Sequence, residues 1–207
     1  MIEDTSLQVF LDELASKTPT PGGGSAAAIM GSMGAALVGM VCNLTINKKA
    51  YEAVDVEMRG ALQQAEALRA QLTDMMRRDI EAFDLVMAAY GLPKDTEVEK
   101  TRRSLAIQSA LKVATEVPLA CARASADVIA LSRIVAEKGN KNVVSDAGVA
   151  VLAAYAALKA SALSVRVNTG VIRDTQFVEK SLAELEAVQA GADSAMLEIY
   201  QEVMHRL

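Results

Sequence analysis

Tryptophan is absent from this 207-residue chain, which carries only three phenylalanines and four tyrosines. Hydrophobic residues still make up 52% of it, so the core has to be built from Ala, Leu, Val and Met. That composition favours closely packed helices and argues against an aromatic-rich β-sandwich. Histidine is scarcer still: the sole one, His205, lies near the C-terminus. No His/Cys metal site is therefore expected, and acid–base chemistry falls to Asp, Glu, Lys or Tyr. Cys42 and Cys121 form no Cys-x-x-Cys pair and no disulfide framework, as expected in a reduced cytoplasm. The chain has no long basic run and a net charge of −5, which disfavours nucleic acid as a partner. Glu3, Asp4, Asp12 and Glu13 argue against a signal or transit peptide at the start. With no internal linker, low-complexity tract or repeat, residues 1–207 read as a single cytoplasmic domain.

Charge itself is missing from Thr18 to Asn47, and Pro21-Gly22-Gly23-Gly24-Ser25 stands near the start of that stretch. Glycines let backbone N–H groups approach a partner closely, and Ser25 is placed to cap the helix that follows. Such a turn suits an anion or a polar ligand; a tight corner between helices explains it equally well. It is not a phosphate-binding Walker loop, because the Lys and the preceding strand are missing. By length the stretch also qualifies as a membrane anchor. Its many small residues favour a buried helix instead, with Ala27, Gly31, Ala35 and Gly39 forming a smooth ridge for another helix or a flat ligand.

Hydrophobic spacing predicts helices throughout and no confident strand. A first amphipathic helix covers Thr5–Lys17, with Leu7, Phe10, Leu11 and Leu14 at helical spacing, and the small-residue helix follows from Ser25 to about Asn47. A long helix runs from about Val54 to Tyr90, closed by Gly91-Leu92-Pro93. Thr96 and Glu99 form a capping box for the next helix, which Pro118 is expected to break or kink; a fifth continues to Lys138 and ends at Gly139. Ser145-Asp146 caps a second Ala-rich helix to Asn168, and a last one spans Thr175–His205. The expected architecture is an all-α bundle of about seven helices, with two charge-poor, small-residue helices in its core.

Two places break these patterns. The apolar stripe of the long helix runs through Leu72 and Met76, and its next position is Asp79. A carboxylate aimed at a core must be paired, with Arg102 or Arg123 for example, or else serve function. The second place is Asn140–Asp146. On the helix it opens, Asp146, Ala150, Ala153, Ala157, Ser161, Ser164 and Asn168 share a face that reads either as a groove wall or as tight packing. Tyr155 and Lys159 make a Tyr-x-x-x-Lys pair, but without a dinucleotide fingerprint they read as a packed ring and an exposed amine.

Several stretches together resemble the cyclodeaminase/cyclohydrolase family of folate enzymes. They are Pro19–Ser25, Met40–Thr45, Asp79–Phe83, Tyr90–Lys94, Gly139–Asn142, Ser145–Ala150 and Asn168. The family includes the C-terminal domain of formiminotransferase-cyclodeaminase and the stand-alone bacterial methenyltetrahydrofolate cyclohydrolases. The runs Cys42-Asn43-Leu44-Thr45-Ile46 and Val135-Ala136-Glu137-Lys138-Gly139-Asn140 resemble the methylotroph cyclohydrolase branch most closely. The resemblance implies a helical homodimer binding folate near the subunit interface, with no metal or cofactor and no membrane. The absence of an upstream formiminotransferase domain fits a cyclohydrolase without excluding a deaminase. The reaction it implies is hydrolysis of 5,10-methenyltetrahydrofolate to 10-formyltetrahydrofolate, with formiminotetrahydrofolate cyclodeaminase second and a non-catalytic or anchored helical module third. It places Asp79 or Asp146 as the base, Asp79 preferred, with Asn43, Asn142 and Asn168 on the pterin. Gly22, Gly23, Gly24 and Ser25 would hold the pterin or the glutamate tail, with Lys48, Lys94 or Lys141 as alternatives for the tail. Asn140 and Ser145 complete the expected binding set.

Overall fold

A chain with few rings packs by bringing backbones together, and Gly34 shows how near they come. The computed structural model describes residues 5–207, among which there are seven α-helices and no strand. They are α1 (Leu7–Leu14), α2 (Gly23–Asn43), α3 (Asp55–Tyr90), α4 (Glu97–Lys138), α5 (Val144–Thr169), α6 (Thr175–Gln189) and α7 (Ala192–Arg206). Short 3-10 turns at Lys49–Val54 and Lys141–Val143 lead into α3 and α5. A Cβ on Gly34 of α2 would lie 3.0 Å from the Ala150 carbonyl oxygen and 3.3 Å from the Ala154 nitrogen of α5. The two charge-poor helices therefore meet backbone to backbone, where dispersion contacts are densest. Both pack on α4, and α2 also packs on α3. The main core spans these helices, from Val38 and Val41 through Leu72, Val128 and Val135 to Val151 and Leu158.

The ridge Ala27, Gly31, Ala35 and Gly39 is buried, and its two glycines receive helices. Gly31 faces Leu72 and Ser125, while Gly39 faces Leu62 and Glu66. Gly23–Asn43 and Lys141–Thr169 are each long and apolar enough to cross a membrane, yet 61% and 50% of their apolar stretches are buried inside this fold. The short α1 contributes less than its spacing predicts: Phe10 is buried, whereas Leu7 and Leu11 remain exposed.

The capping box holds: Thr96 accepts from Glu99 N, and Glu99 reaches back to Thr96 N. Other expected boundaries move. Ser25 is not the cap of α2, since Gly22 occupies that position and Ser25 lies inside the first turn. Ser145 likewise caps nothing; α5 already starts at Val144. The single C-terminal helix is two, because Gly191 adopts a left-handed φ of 74°, a conformation that glycine tolerates and that stops a helix.

Pro118 does not end its helix. It is buried within a continuous α4, which leaves the Ala114 carbonyl without the N–H that residue 118 would ordinarily donate. Asn168 of α5 takes over that role: its Nδ2 donates to Ala114 O at 2.7 Å. One side chain thus repairs the ladder and fixes α5 against α4. Asn168→Ala should destabilise the fold by about 1 kcal/mol, the usual scale for one lost hydrogen bond. Pro118→Ala restores the missing donor, so the Asn168→Ala penalty should shrink in that background in a denaturant-melt double-mutant cycle.

Candidate active site

The first turn of a helix carries N–H groups with no partner inside the helix, and its positive end attracts an anion. In α2 these are the N–H groups of Gly23, Gly24 and Ser25, since the first helical bond is Ala26 N to Gly22 O. The anion seated there is the protein's own. Ser25 Oγ donates to Asp79 Oδ2 at 2.9 Å, and the Ser25 backbone N–H faces the same carboxylate. A Cβ on Gly24 would come within 2.6 Å of Asp79 Cγ and closer still to Oδ1. Gly24 is therefore the glycine that the carboxylate requires. Around Gly23 there is open space, and at Gly22 only the Pro19 carbonyl comes near.

Neither Arg102 nor Arg123 pairs with Asp79. Arg123 pairs with Glu184, and no cation bonds Asp79 among the described residues. Burial pushes the Asp79 carboxyl above the usual carboxylate range, and the two Ser25 hydrogen bonds only partly offset it. The net direction follows from desolvation outweighing two donors when no positive charge stands nearby.

Asp79 opens into a cleft of about 320 Å³. Phe83, Val86, Leu163 and Val167 give it apolar walls, while Ser164 and Asn168 stand with Asp79 as its polar groups. Because Asn168 Nδ2 is spent on Ala114, its Oδ1 is left as an acceptor. The cleft thus offers a carboxylate and an amide oxygen between flat apolar surfaces. That arrangement suits a flat, cationic ligand with N–H groups at its edge.

The other sequence-derived candidates lie elsewhere. Asp79 meets the N-terminus of α2, whereas Asn43 is at its C-terminus, twenty residues and about 30 Å away. Asn140 sits at that far end as a fastener. Its Nδ2 donates to Leu44 O at 2.8 Å, its N–H donates to Thr45 Oγ1 at 2.9 Å, and its Oδ1 accepts from Asn142 N at 3.1 Å. Tyr51 completes the knot by accepting from Lys141 N and donating to Asn140. Buried to 3% exposure, Asn140 has no atom free for a ligand within this chain. Lys48, Lys141, Asn142 and Ser145 are exposed there, and Asp146 is half-buried in the first turn of α5. Eighteen residues of α5 separate Asp146 from Ser164, about 27 Å, so one chain does not bring Asp146 to Asp79. The proposed groove face of α5 divides accordingly: Ala150, Ala157 and Ser161 are buried packing, and only its C-terminal end opens. Lys94 lines a separate cleft beyond the Asp79 site.

Tyr155 and Lys159 share Asp193, at 3.0 and 2.7 Å, and fasten α7 to α5. Cys42 and Cys121 are buried, and burial pushes both thiols up, Cys42 to about 11, so neither is poised as a nucleophile. Among the described residues no His, Cys, Asp and Glu cluster could hold a metal ion.

A carboxyl raised by burial binds its proton more tightly folded than unfolded. At neutral pH the folded chain bears the full desolvation cost of the Asp79 anion, and that cost is relieved as pH falls through the raised value. Asp79→Asn should accordingly melt at higher temperature than the parent at neutral pH, with the gap closing on acidification. Calorimetry across pH checks the sign.

Comparisons with known proteins agree with this fold. A formiminotransferase-cyclodeaminase family profile matches residues 6–187. The methenyltetrahydrofolate cyclohydrolase of Methylorubrum extorquens is 55% identical over the full length of both chains. The formimidoyltransferase-cyclodeaminase of Rattus norvegicus is 34% identical over 86% of this chain, which spans 33% of that longer protein. The crystal structure of formiminotetrahydrofolate cyclodeaminase from Thermotoga maritima superposes with a TM-score of 0.84 at 36% identity, covering 100% of this chain and 98% of that one. The chain belongs to the formiminotransferase-cyclodeaminase family.

Proposed function

We propose that this protein is an enzyme of one-carbon metabolism that hydrolyses 5,10-methenyltetrahydrofolate to 10-formyltetrahydrofolate, reversibly and as a single functional domain. The observation that carries the reading is Asp79, a half-buried carboxylate without a cation, opening into an apolar cleft. The substrate supplies the missing cation: its amidinium carbon is positive, flat and flanked by nitrogens. Full-length 55% identity to a methenyltetrahydrofolate cyclohydrolase points the same way.

In this mechanism Asp79 has two tasks. As an anion it attracts the amidinium and takes a proton from the attacking water as the new C–O bond forms. The adduct is a neutral carbinolamine. Asp79 then returns its proton to N5 as the C–N5 bond breaks, and the hydroxyl proton leaves to solvent with the formyl group on N10. A raised carboxyl suits both halves, since it is a stronger base than an ordinary aspartate and holds the proton that it later returns. Asn168 Oδ1 accepts from the pterin edge, and Ser25 with Gly24 holds the base. No metal or cofactor takes part.

A second reading, cyclodeaminase, draws support from the same raised carboxyl, which as an acid would protonate departing ammonia. The Thermotoga cyclodeaminase shares the fold at lower identity. Loss of methenyl absorbance on adding enzyme marks the hydrolase, and ammonia release from the formimino substrate marks the deaminase.

We further infer a cytoplasmic homodimer. Val149, Leu152, Leu163 and Val167 expose 53%, 42%, 67% and 72% of their surface along one side of α5. A continuous apolar stripe of this kind favours a second copy over solvent. A two-fold axis perpendicular to α5 would lay the Asn140–Asp146 end of one copy beside the Asp79 cleft of the other. In that arrangement Asp146, Asn43, Asn142, Ser145, Lys48 and Lys141 keep their candidacy for the site.

Asp79→Asn should lower kcat by about 10²- to 10⁴-fold, the usual worth of a general base. Gly24→Ala, which pushes the carboxylate aside, should cost about 10²-fold. The parent's kcat should fall as pH drops through the raised Asp79 value, and Ser25→Ala should move that acid limb to higher pH. Absorbance assays on methenyltetrahydrofolate over a pH series read all of these; unchanged turnover in Asp79→Asn would remove the mechanism.

A further inference from the structure

Proline inside a helix is costly, because it lacks an N–H and its ring crowds the carbonyl four residues back. In α4 that carbonyl belongs to Ala114, which lines the Asp79 cleft together with Asn168. The only proline within the 42 residues of α4 therefore unpairs a carbonyl at the wall of the site. An asparagine side chain has a donor at one end and an acceptor at the other, and its partners decide which end faces where. Asn140 spends both ends on backbone, donating to Leu44 O and accepting from Asn142 N. Asn168 spends one: Nδ2 goes to Ala114 O at 2.7 Å, and Oδ1 is the end left for a ligand. Reversing this amide would set two oxygens against each other and leave the carbonyl without its donor.

The backbone that carries Asn168 is held independently of the proline. Gln108 of α4 donates from Nε2 to Val171 O at 3.1 Å, and its Oε1 accepts from Arg173 N at 2.7 Å. Thr169 Oγ1 donates to Val165 O at 2.9 Å within the last turns of α5. The end of α5 is thus fastened to α4 by contacts that do not involve residue 118. What depends on Ala114 O is the rotation of the Asn168 side chain alone.

We propose that Pro118 is a positioning residue for the reaction: by unpairing Ala114 O it locks the Asn168 amide with its oxygen available to the ligand. This rests on the proposed function, in which Asn168 Oδ1 accepts from the pterin edge. Asp79 and Asn168 then both meet the ligand as acceptors, so the cleft chooses a ligand edge by its N–H groups. An amide already held in place loses little rotational freedom when the ligand arrives. The gain is one of binding, so it belongs to KM and not to the chemical step. With alanine at 118 a main-chain N–H returns to Ala114 O. Asn168 then competes with it for the same oxygen, and its side chain is released to rotate.

Steady-state kinetics on methenyltetrahydrofolate in Pro118→Ala, Asn168→Ala and the double variant test this. Pro118→Ala should raise KM about fivefold, with kcat and its acid limb unchanged. In the Asn168→Ala background the same substitution should leave KM where it is, because no amide remains to be positioned. A loss caused by mispacking of α4 would persist in that background. A KM unaltered by Pro118→Ala, or raised equally with and without Asn168, therefore overturns the proposal even while turnover upholds the hydrolase reading. NMR of the nitrogen-15-labelled Asn168 side-chain amide reads the lock without any substrate. Its exchange with solvent should be about tenfold faster in Pro118→Ala than in the parent, the scale of one weakened hydrogen bond. Faster exchange supports the lock even if methenyltetrahydrofolate is not turned over; equal exchange in the two proteins overturns it.

Discussion

The contact between Asp79 and the first turn of α2 is the constraint on which the rest depends. A carboxylate is placed on the core-facing side of a long helix without a basic partner. It is tolerated because a neighbouring helix starts there and presents a hydroxyl and a backbone N–H. That meeting works only if residue 24 has no side chain. The interaction is weaker than an ion pair, which leaves the carboxyl raised and available. Replacing Ser25 by an arginine-bearing neighbour would stabilise the anion and spoil it as a base.

Around this contact the scaffold is built for rigidity at close range. Gly34 lets α2 reach α5, and Asn168 ties α5 to α4 through the carbonyl that Pro118 leaves open. The same Asn168 borders the Asp79 cleft. A residue that repairs a helix therefore also fixes an acceptor in the site, and its orientation follows from the proline. The Asn140–Tyr51–Thr45 knot holds the opposite end of α2 in register. Function is thus coupled to fold through polar groups that each satisfy a neighbour's backbone.

Much of this was legible in the sequence, and the failures have physical causes. Asp79 was visible as a polar break in an apolar stripe, because helix periodicity is local. The glycine turn was visible too, but its purpose was not: the carboxylate it admits lies 54 residues away. The expected number of helices stands, although two boundaries moved in opposite directions. Pro118 reads as a break or a kink, since a proline's repair by Asn168 on another helix has no local signature. The break at Gly191 was missed because apolar spacing continues across it. Asn140 carried a ligand-like pattern yet is consumed by backbone contacts. Lys94 is a candidate contact in the sequence, but the basic cleft it shares with Arg103 and Arg173 has no sequence signature, since those residues come from separate parts of the chain.

The central claim is that Asp79 is a desolvated, unpaired carboxylate held by α2. Direct titration of its side-chain carbon by carbon-13 NMR tests this without reference to any substrate. The account predicts a midpoint clearly above the ordinary aspartate value of about 3.9, moving higher when Ser25 is replaced by alanine. A midpoint at or below that value, or one indifferent to Ser25, would contradict it.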